Sequence, residues 1–139
     1  MNPLGTHLLV DLWSGNGEKM NNLEYLKRTM SGAAQVSGAT VLKTVFQDFN
    51  PHGVSGVVVI AESHLTIHTW PEHGYAAVDI FTCGAKVDPW KAARFLKEEL
   101  EAADMEIRDF QRGLPPHQNS ANQTGDGTRN AACRNTHRQ

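Results

Sequence analysis

Between Gly5 and Trp13 the chain alternates: Thr6, Leu8, Val10 and Leu12 fall on one face, His7, Leu9, Asp11 and Trp13 on the other. That is the period of a half-buried strand, and Ser14-Gly15-Asn16-Gly17 ends it. The period then lengthens. Leu23, Leu26, Met30 and Ala33/Ala34 form the stripe of a helix capped by Asn21 or Asn22, running to about Ser37, with Gly38 as its C-terminal glycine. A strand follows over 39–49, with Val41, Val45 and Phe49 assigned to one face and Leu42 and Phe46 to the other. Asn50-Pro51-His52-Gly53 is a turn. The next strand, Val54 to Glu62, holds the apolar run Val57–Ile60, which predicts burial on both faces, although Ser55 and Gly56 weaken its start. Leu65 to Trp70 reads as a short strand, Pro71-Glu72-His73-Gly74 as a turn, and Tyr75 to Cys83 as a long strand. Asp88-Pro89 has the chemistry of an N-cap with proline at N1. The helix it opens is expected to reach about Ala102, with Pro89, Ala93, Leu96 and Leu100 inward, and Met105 to Phe110 forms a last strand.

Strand, helix, several antiparallel strands, helix, strand is the order of an α+β domain: a mostly antiparallel sheet with two helices packed on one face, a two-layer sandwich. The open face of such a sheet is wet or meets a partner, and strands apolar on both faces favour a partner. With 139 residues there is room for one sizeable core. The domain is expected over 1–112. Residues 113–139 carry almost no large apolar side chains and are expected to be a disordered tail.

Charge and cysteine usage narrow the function classes. Residues 1–111 hold 9 Lys+Arg against 14 Asp+Glu, whereas the last 28 residues hold four arginines and one aspartate. An acidic body without a basic stripe argues against nucleic acid. No apolar run reaches the ~18–20 residues of a membrane span. The start MNPLGTHLLVDLW lacks the basic region and cleavage site of a signal peptide, so a cytoplasmic protein is expected. Cys83 and Cys133 make no disulfide framework, and a thiol is the default there.

Chemistry concentrates in residues 60–74, IAESHLTIHTWPEHG, where a serine, three histidines and two glutamates sit between buried-looking strands. Each has a plain reading when taken alone. His52 and His73 suit turns, His68 a satisfied strand position, Cys83 a small buried hydrophobe, Ser63 a turn, and Phe49 and Trp70 a core or an interface. The histidine spacings match no zinc motif, and no metal is expected.

Taken together, Glu62-Ser63-His64, His68, Glu72 and a Cys-Gly ending the next strand resemble the prokaryotic S-adenosylmethionine decarboxylase proenzymes. The resemblance covers about Gly5 to Phe110 and is densest in AESHLTIHTWPEHGYAAVDIFTCG. It implies a self-processing enzyme. The Ser63 hydroxyl attacks the Glu62 carbonyl, the resulting ester is split by β-elimination, and the new N-terminus loses ammonia to become a pyruvoyl group. That ketone condenses with the α-amine of S-adenosylmethionine and accepts the electrons released with CO2, giving the aminopropyl donor of spermidine synthesis. The resemblance also implies roles: His68 as processing base, Ser55 as a hydroxyl assisting self-cleavage, and Cys83 as the acid that protonates the decarboxylated carbon. Phe49 and Glu72 match residues that hold adenine and ribose, with Trp70 lining the same pocket. A thiol suits the acid role because it returns a proton near neutrality.

Spacing adds one point independent of any family. Five residues of extended chain from Ser63 to His68 cover roughly 16 Å and end on the opposite face. Unless the chain bends at His64-Leu65, the histidine near a given Ser63 comes from a second subunit. The resemblance implies the same: a homodimer with Ser63 and Cys83 from one protomer and Phe49, Ser55, His68 and Glu72 from the other. Two alternatives stay open. One keeps the pyruvoyl group but decarboxylates arginine or ornithine; the other is a non-catalytic module whose histidines hold a metal or ligand.

Overall fold

A computed structural model describes residues 2–116. Six strands form one sheet, β1 (Gly5–Trp13), β2 (Thr40–Asp48), β3 (Val54–Ala61), β4 (Ser63–Trp70), β5 (Tyr75–Cys83) and β6 (Asp104–Arg112), in the order β2-β3-β4-β5-β1-β6. Every neighbouring pair is antiparallel. α2 (Leu23–Val36) and α3 (Pro89–Glu99) contact one another and the sheet. Between the helices and the sheet lies the core, built on Leu8, Val10 and Leu12 of β1, Leu26 and Met30 of α2, Leu65 and Ile67 of β4, and Leu96 of α3. The α+β two-layer architecture expected from the sequence is the one observed.

The two helices end by the same hydrogen bonds but different chemistry. After α2, Gly38 N–H donates to Gln35 and Ala39 N–H to Ala34, with Gly38 at φ +92°. This is a Schellman closure with the glycine it favours. After α3, Glu101 N–H donates to Glu98 and Ala102 N–H to Lys97, but the left-handed position is held by Glu101 at φ +55°. With no glycine to mark the stop, the pattern carries the expected helix to Ala102, three residues beyond the observed end at Glu99. The caps match expectation: Asn22 accepts from Tyr25 N–H, and Asp88 from Trp90 N–H. A one-turn helix α1 (Gly17–Met20), capped by Asn16, was not expected, because four residues are too few to show a period.

Two strand readings need correction. In β2 the register shifts between Val41 and Lys43, so Leu42 bulges out. Val41 pairs with buried Ile60 whereas Val45 pairs with exposed Val57, and the two valines lie on opposite faces. Phe46 pairs with Gly56, and a Cβ at Gly56 would overlap its ring, which explains the glycine in that strand. The second correction concerns β3. Val58 and Ile60 are buried, but Val57 and Val59 are each 38% exposed, because no helix among the described residues covers the other face. That open face displays Trp13, Val45, Val57, Val59, Trp70 and Phe110, each 38–57% exposed.

Candidate active site

β3 and β4 form a tight hairpin. Ile60 pairs with Ser63, leaving Ala61 and Glu62 as the two loop residues, both exposed. The strand therefore starts two residues before the expected Leu65. Ser63 is half-buried at φ +106°, a backbone conformation that costs an L-residue about 1–3 kcal/mol and collects at functional positions. Across the ladder it pairs with Thr82, the residue before Cys83. Cys83 is a half-buried free thiol paired with Gly5 of β1. A Cβ on Gly5 would come within 2.6 Å of the Phe81 ring, so the glycine makes room for the aromatic beside the thiol. A depression of about 310 Å³, lined by residues 2–6 with Thr82, Gly84 and Ala85, flanks this end of the sheet.

A polar network lies on the open face next to it. His7 Nε2 is 3.1 Å from Asp79 Oδ1, while Thr66 Oγ1 donates to Asp79 Oδ2 at 2.9 Å. The rings of His7, His64 and Phe81 pack against each other, and the Arg112 guanidinium stands 5.6 Å over Phe81. His64 is thus held by aromatic neighbours.

The other end of the hairpin gathers a different set. Ser55 pairs with His68 in the β3–β4 ladder, and Ser55 Oγ shares a hydrogen bond of 2.7 Å with His68 Nδ1. Around them is a pocket of about 270 Å³ whose lining includes Phe49, His52, Ser55, His68, Trp70 and Glu72. Phe49, half-exposed, sits just past β2 rather than within it. The four residues assigned to the second half of the site, Phe49, Ser55, His68 and Glu72, therefore line one pocket together with Trp70. His52, read from the sequence as a turn histidine, joins them with its Nε2 2.9 Å from Glu72 Oε2.

The floor of the pocket is fixed from the helix side. Thr69, buried, accepts from Val54 N–H at 2.9 Å and donates to the Met20 carbonyl at 2.7 Å. Gly53, at φ +105°, donates its N–H to Asn21 Oδ1, and a Cβ there would lie 3.1 Å from the Thr69 carbonyl oxygen. Sequence reasoning missed Thr69 and Asn21, since their partners lie across the fold.

Ser63 and His68 are not brought together within one chain. β4 is continuous from Ser63 to Trp70, with unbroken pairing to β5 over the same residues, so no bend at His64-Leu65 shortens the roughly 16 Å between them.

A family profile described as S-adenosylmethionine decarboxylase matches residues 6–113. The chain belongs to this family. It is 51% identical over 114 residues to the S-adenosylmethionine decarboxylase proenzyme of Caldicellulosiruptor saccharolyticus, covering 82% of this chain and 92% of that one. It is 50% identical over 113 residues to the proenzyme of the same name from Thermotoga maritima, covering 81% and 87%. In three dimensions it is similar to the crystal structure of the adenosylmethionine decarboxylase from Aquifex aeolicus VF5, with a TM-score of 0.77 and 34% identity over 83% of this chain and 95% of that one. The family's reaction, decarboxylation of S-adenosylmethionine, is the activity of this protein, and neither arginine or ornithine decarboxylation nor a non-catalytic module is favoured. No helix among the described residues is long and apolar enough to cross a membrane.

Proposed function

We propose that the chain cuts itself between Glu62 and Ser63, converts Ser63 to a pyruvoyl group, and decarboxylates S-adenosylmethionine in two composite sites of a cytoplasmic homodimer. The observation that carries this reading is the separation of two half-sites along β4: Ser63 beside Cys83 at one end, the Ser55–His68 pocket at the other. A twofold axis relating open faces joins the tip of one chain to the pocket of its partner, twice. The apolar residues left on that face support the same assembly.

The local structure suits the processing chemistry. Glu62 and Ser63 sit at an exposed two-residue loop, and Ser63 is already off the ordinary strand conformation. Attack of Ser63 Oγ on the Glu62 carbonyl exchanges an amide for an ester. Removal of the Ser63 α-proton then breaks the Cβ–O bond, leaving the Glu62 carboxylate as the end of the smaller piece. Water replaces the nitrogen, which departs as ammonia. His68 of the second chain is the base for the α-proton, and Ser55, on its Nδ1, sets the ring's orientation.

Formed there, the ketone supplies an electrophile for the substrate's α-amine and an acceptor for the electrons of the bond to the carboxylate. This chain's residues do the rest. Phe49 and Trp70 offer ring faces to adenine. Glu72, held by His52, accepts from the ribose hydroxyls. Cys83 returns a proton to the carbon that CO2 has left.

Intact-mass measurement of the purified protein, with CO2 release assayed in parallel, tests the reading. Two fragments divided at Glu62–Ser63 and CO2 release from S-adenosylmethionine are expected. A single full-length chain that is active would contradict the cofactor assignment. Release from arginine or ornithine instead would contradict the role given to Phe49 and Glu72.

A further inference from the structure

Trp70 walls the pocket, but it does not stand alone. It is directly opposite Tyr75 in the β4–β5 ladder, and their rings stack 5.2 Å apart at 27°. Tyr75 stacks in turn on Trp13 of β1, at 4.2 Å and 21°. Three strands each contribute one ring to a column across the open face, and one end of that column is the pocket wall. The middle ring is tied down: the Tyr75 hydroxyl donates to Asp11 Oδ1 at 2.5 Å, and Arg108 Nη2 lies 3.6 Å from the other oxygen of that carboxylate. Burial first, and the hydrogen bond to Asp11 second, push the Tyr75 hydroxyl up to about 12, so it remains a donor throughout the neutral range.

Trp13 and Trp70 are 45% and 41% exposed, so neither indole is held by the core between sheet and helices. Within one chain, the ring contact that restrains Trp70 on this face is its stack on Tyr75. An indole free to swing from the pocket would have to be ordered each time a ligand bound, at a cost in affinity; one already stacked would not. We infer that Trp13 and Tyr75 are positioning residues that hold Trp70 as a fixed wall of the nucleoside pocket, so that the purine meets a preset aperture. The inference rests on the reading of that pocket as the adenosine site.

The test uses 5′-methylthioadenosine, which carries adenine and ribose but neither amine nor carboxylate, titrated into the processed enzyme. Trp13→Ala should weaken its binding roughly threefold to tenfold, the range an aromatic pair supplies. Trp13 also lies on the face proposed to pair, so the comparison is made on material that native mass shows to be dimeric; there KM for S-adenosylmethionine should rise by the same factor, with kcat within twofold of the parent. Trp13→Phe, which restores a ring, should recover binding. Trp13→Leu, which keeps apolar bulk without a ring, should match Trp13→Ala and serves if the alanine variant folds poorly. A near-UV circular dichroism band from the stacked rings should shrink in the ringless variants and return with Trp13→Phe. Unchanged binding in Trp13→Ala and Trp13→Leu, with binding lost in Trp70→Ala, would overturn the positioning role and leave the pocket assignment standing. Unchanged binding in both Trp70→Ala and Glu72→Gln would overturn the pocket assignment, and the column's role with it.

Discussion

At the tip of the β3–β4 hairpin the reactive groups are short and placed by backbone: Ser63 by a two-residue loop and a left-handed φ, Cys83 by the strand beside it. At the base the groups are longer side chains, Phe49, His52, His68, Trp70 and Glu72, gathered round a pocket whose floor is fixed by Thr69 and by α1. The tip has a bond to break and a thiol, but among the described residues no side-chain base is hydrogen-bonded to Ser63. The base end has a histidine, a hydroxyl and ring surfaces but nothing to act on. The contrast is the ground for the proposal that each site is completed by a second protomer, with β4 as the spacer between the two sets.

Removing the tip's nucleophile should have the largest effect. Ser63→Ala should leave one full-length band on a gel and no CO2 release. Cutting at the same bond in that variant would separate the cleavage chemistry from the tip. Next comes Cys83→Ala, which separates making the cofactor from using it. The variant should process at least in part and lose turnover by about a hundredfold or more, the usual contribution of a positioned acid. Full processing with normal turnover would remove the thiol from the reaction.

At the base, Glu72→Gln replaces the carboxylate that faces His52 Nε2 and is proposed to accept from the ribose hydroxyls. KM should rise about tenfold, the scale of one charged hydrogen bond, with self-cleavage unaffected. A loss of processing with KM intact would place Glu72 with the tip's chemistry. The smallest effect is structural. Thr69→Val leaves the Val54 N–H and the Met20 carbonyl without this hydroxyl and should lower stability by about 1–3 kcal/mol, read from a denaturant midpoint. Self-cleavage should persist once the variant folds, because the hydroxyl's partners are Val54 and Met20 rather than Ser55 or His68.

Most of the fold was legible in the chain because its elements are long and strongly patterned. β1 and β5 have the bounds the alternation predicts, and the caps Asn22 and Asp88 lie where their side-chain chemistry puts them. What escaped involves signals a linear pattern does not carry. The β2 bulge at Leu42 shows only once β3 fixes the register. The stop at Glu101 lacks the glycine that announced Gly38. The apolar run Val57–Ile60 reads as buried on both sides, yet one side of it is left partly exposed by the described residues. His52 looked like turn chemistry because its partner, Glu72, lies in a different turn. The tail's expected disorder and Cys133 lie outside the described residues.

The central claim, that each site draws on two chains, is tested most directly by co-expressing differently tagged Ser63→Ala and His68→Ala chains and weighing the products. Either variant alone lacks one half of every site and should process poorly. In a mixed dimer one of the two sites pairs an intact Ser63 with an intact His68, so a fraction of the His68→Ala chains should be cut between Glu62 and Ser63. If mixed dimers form, as the tags and native mass would show, and no His68→Ala chain is cut beyond the level it reaches alone, then His68 serves its own chain's serine and the shared site is wrong.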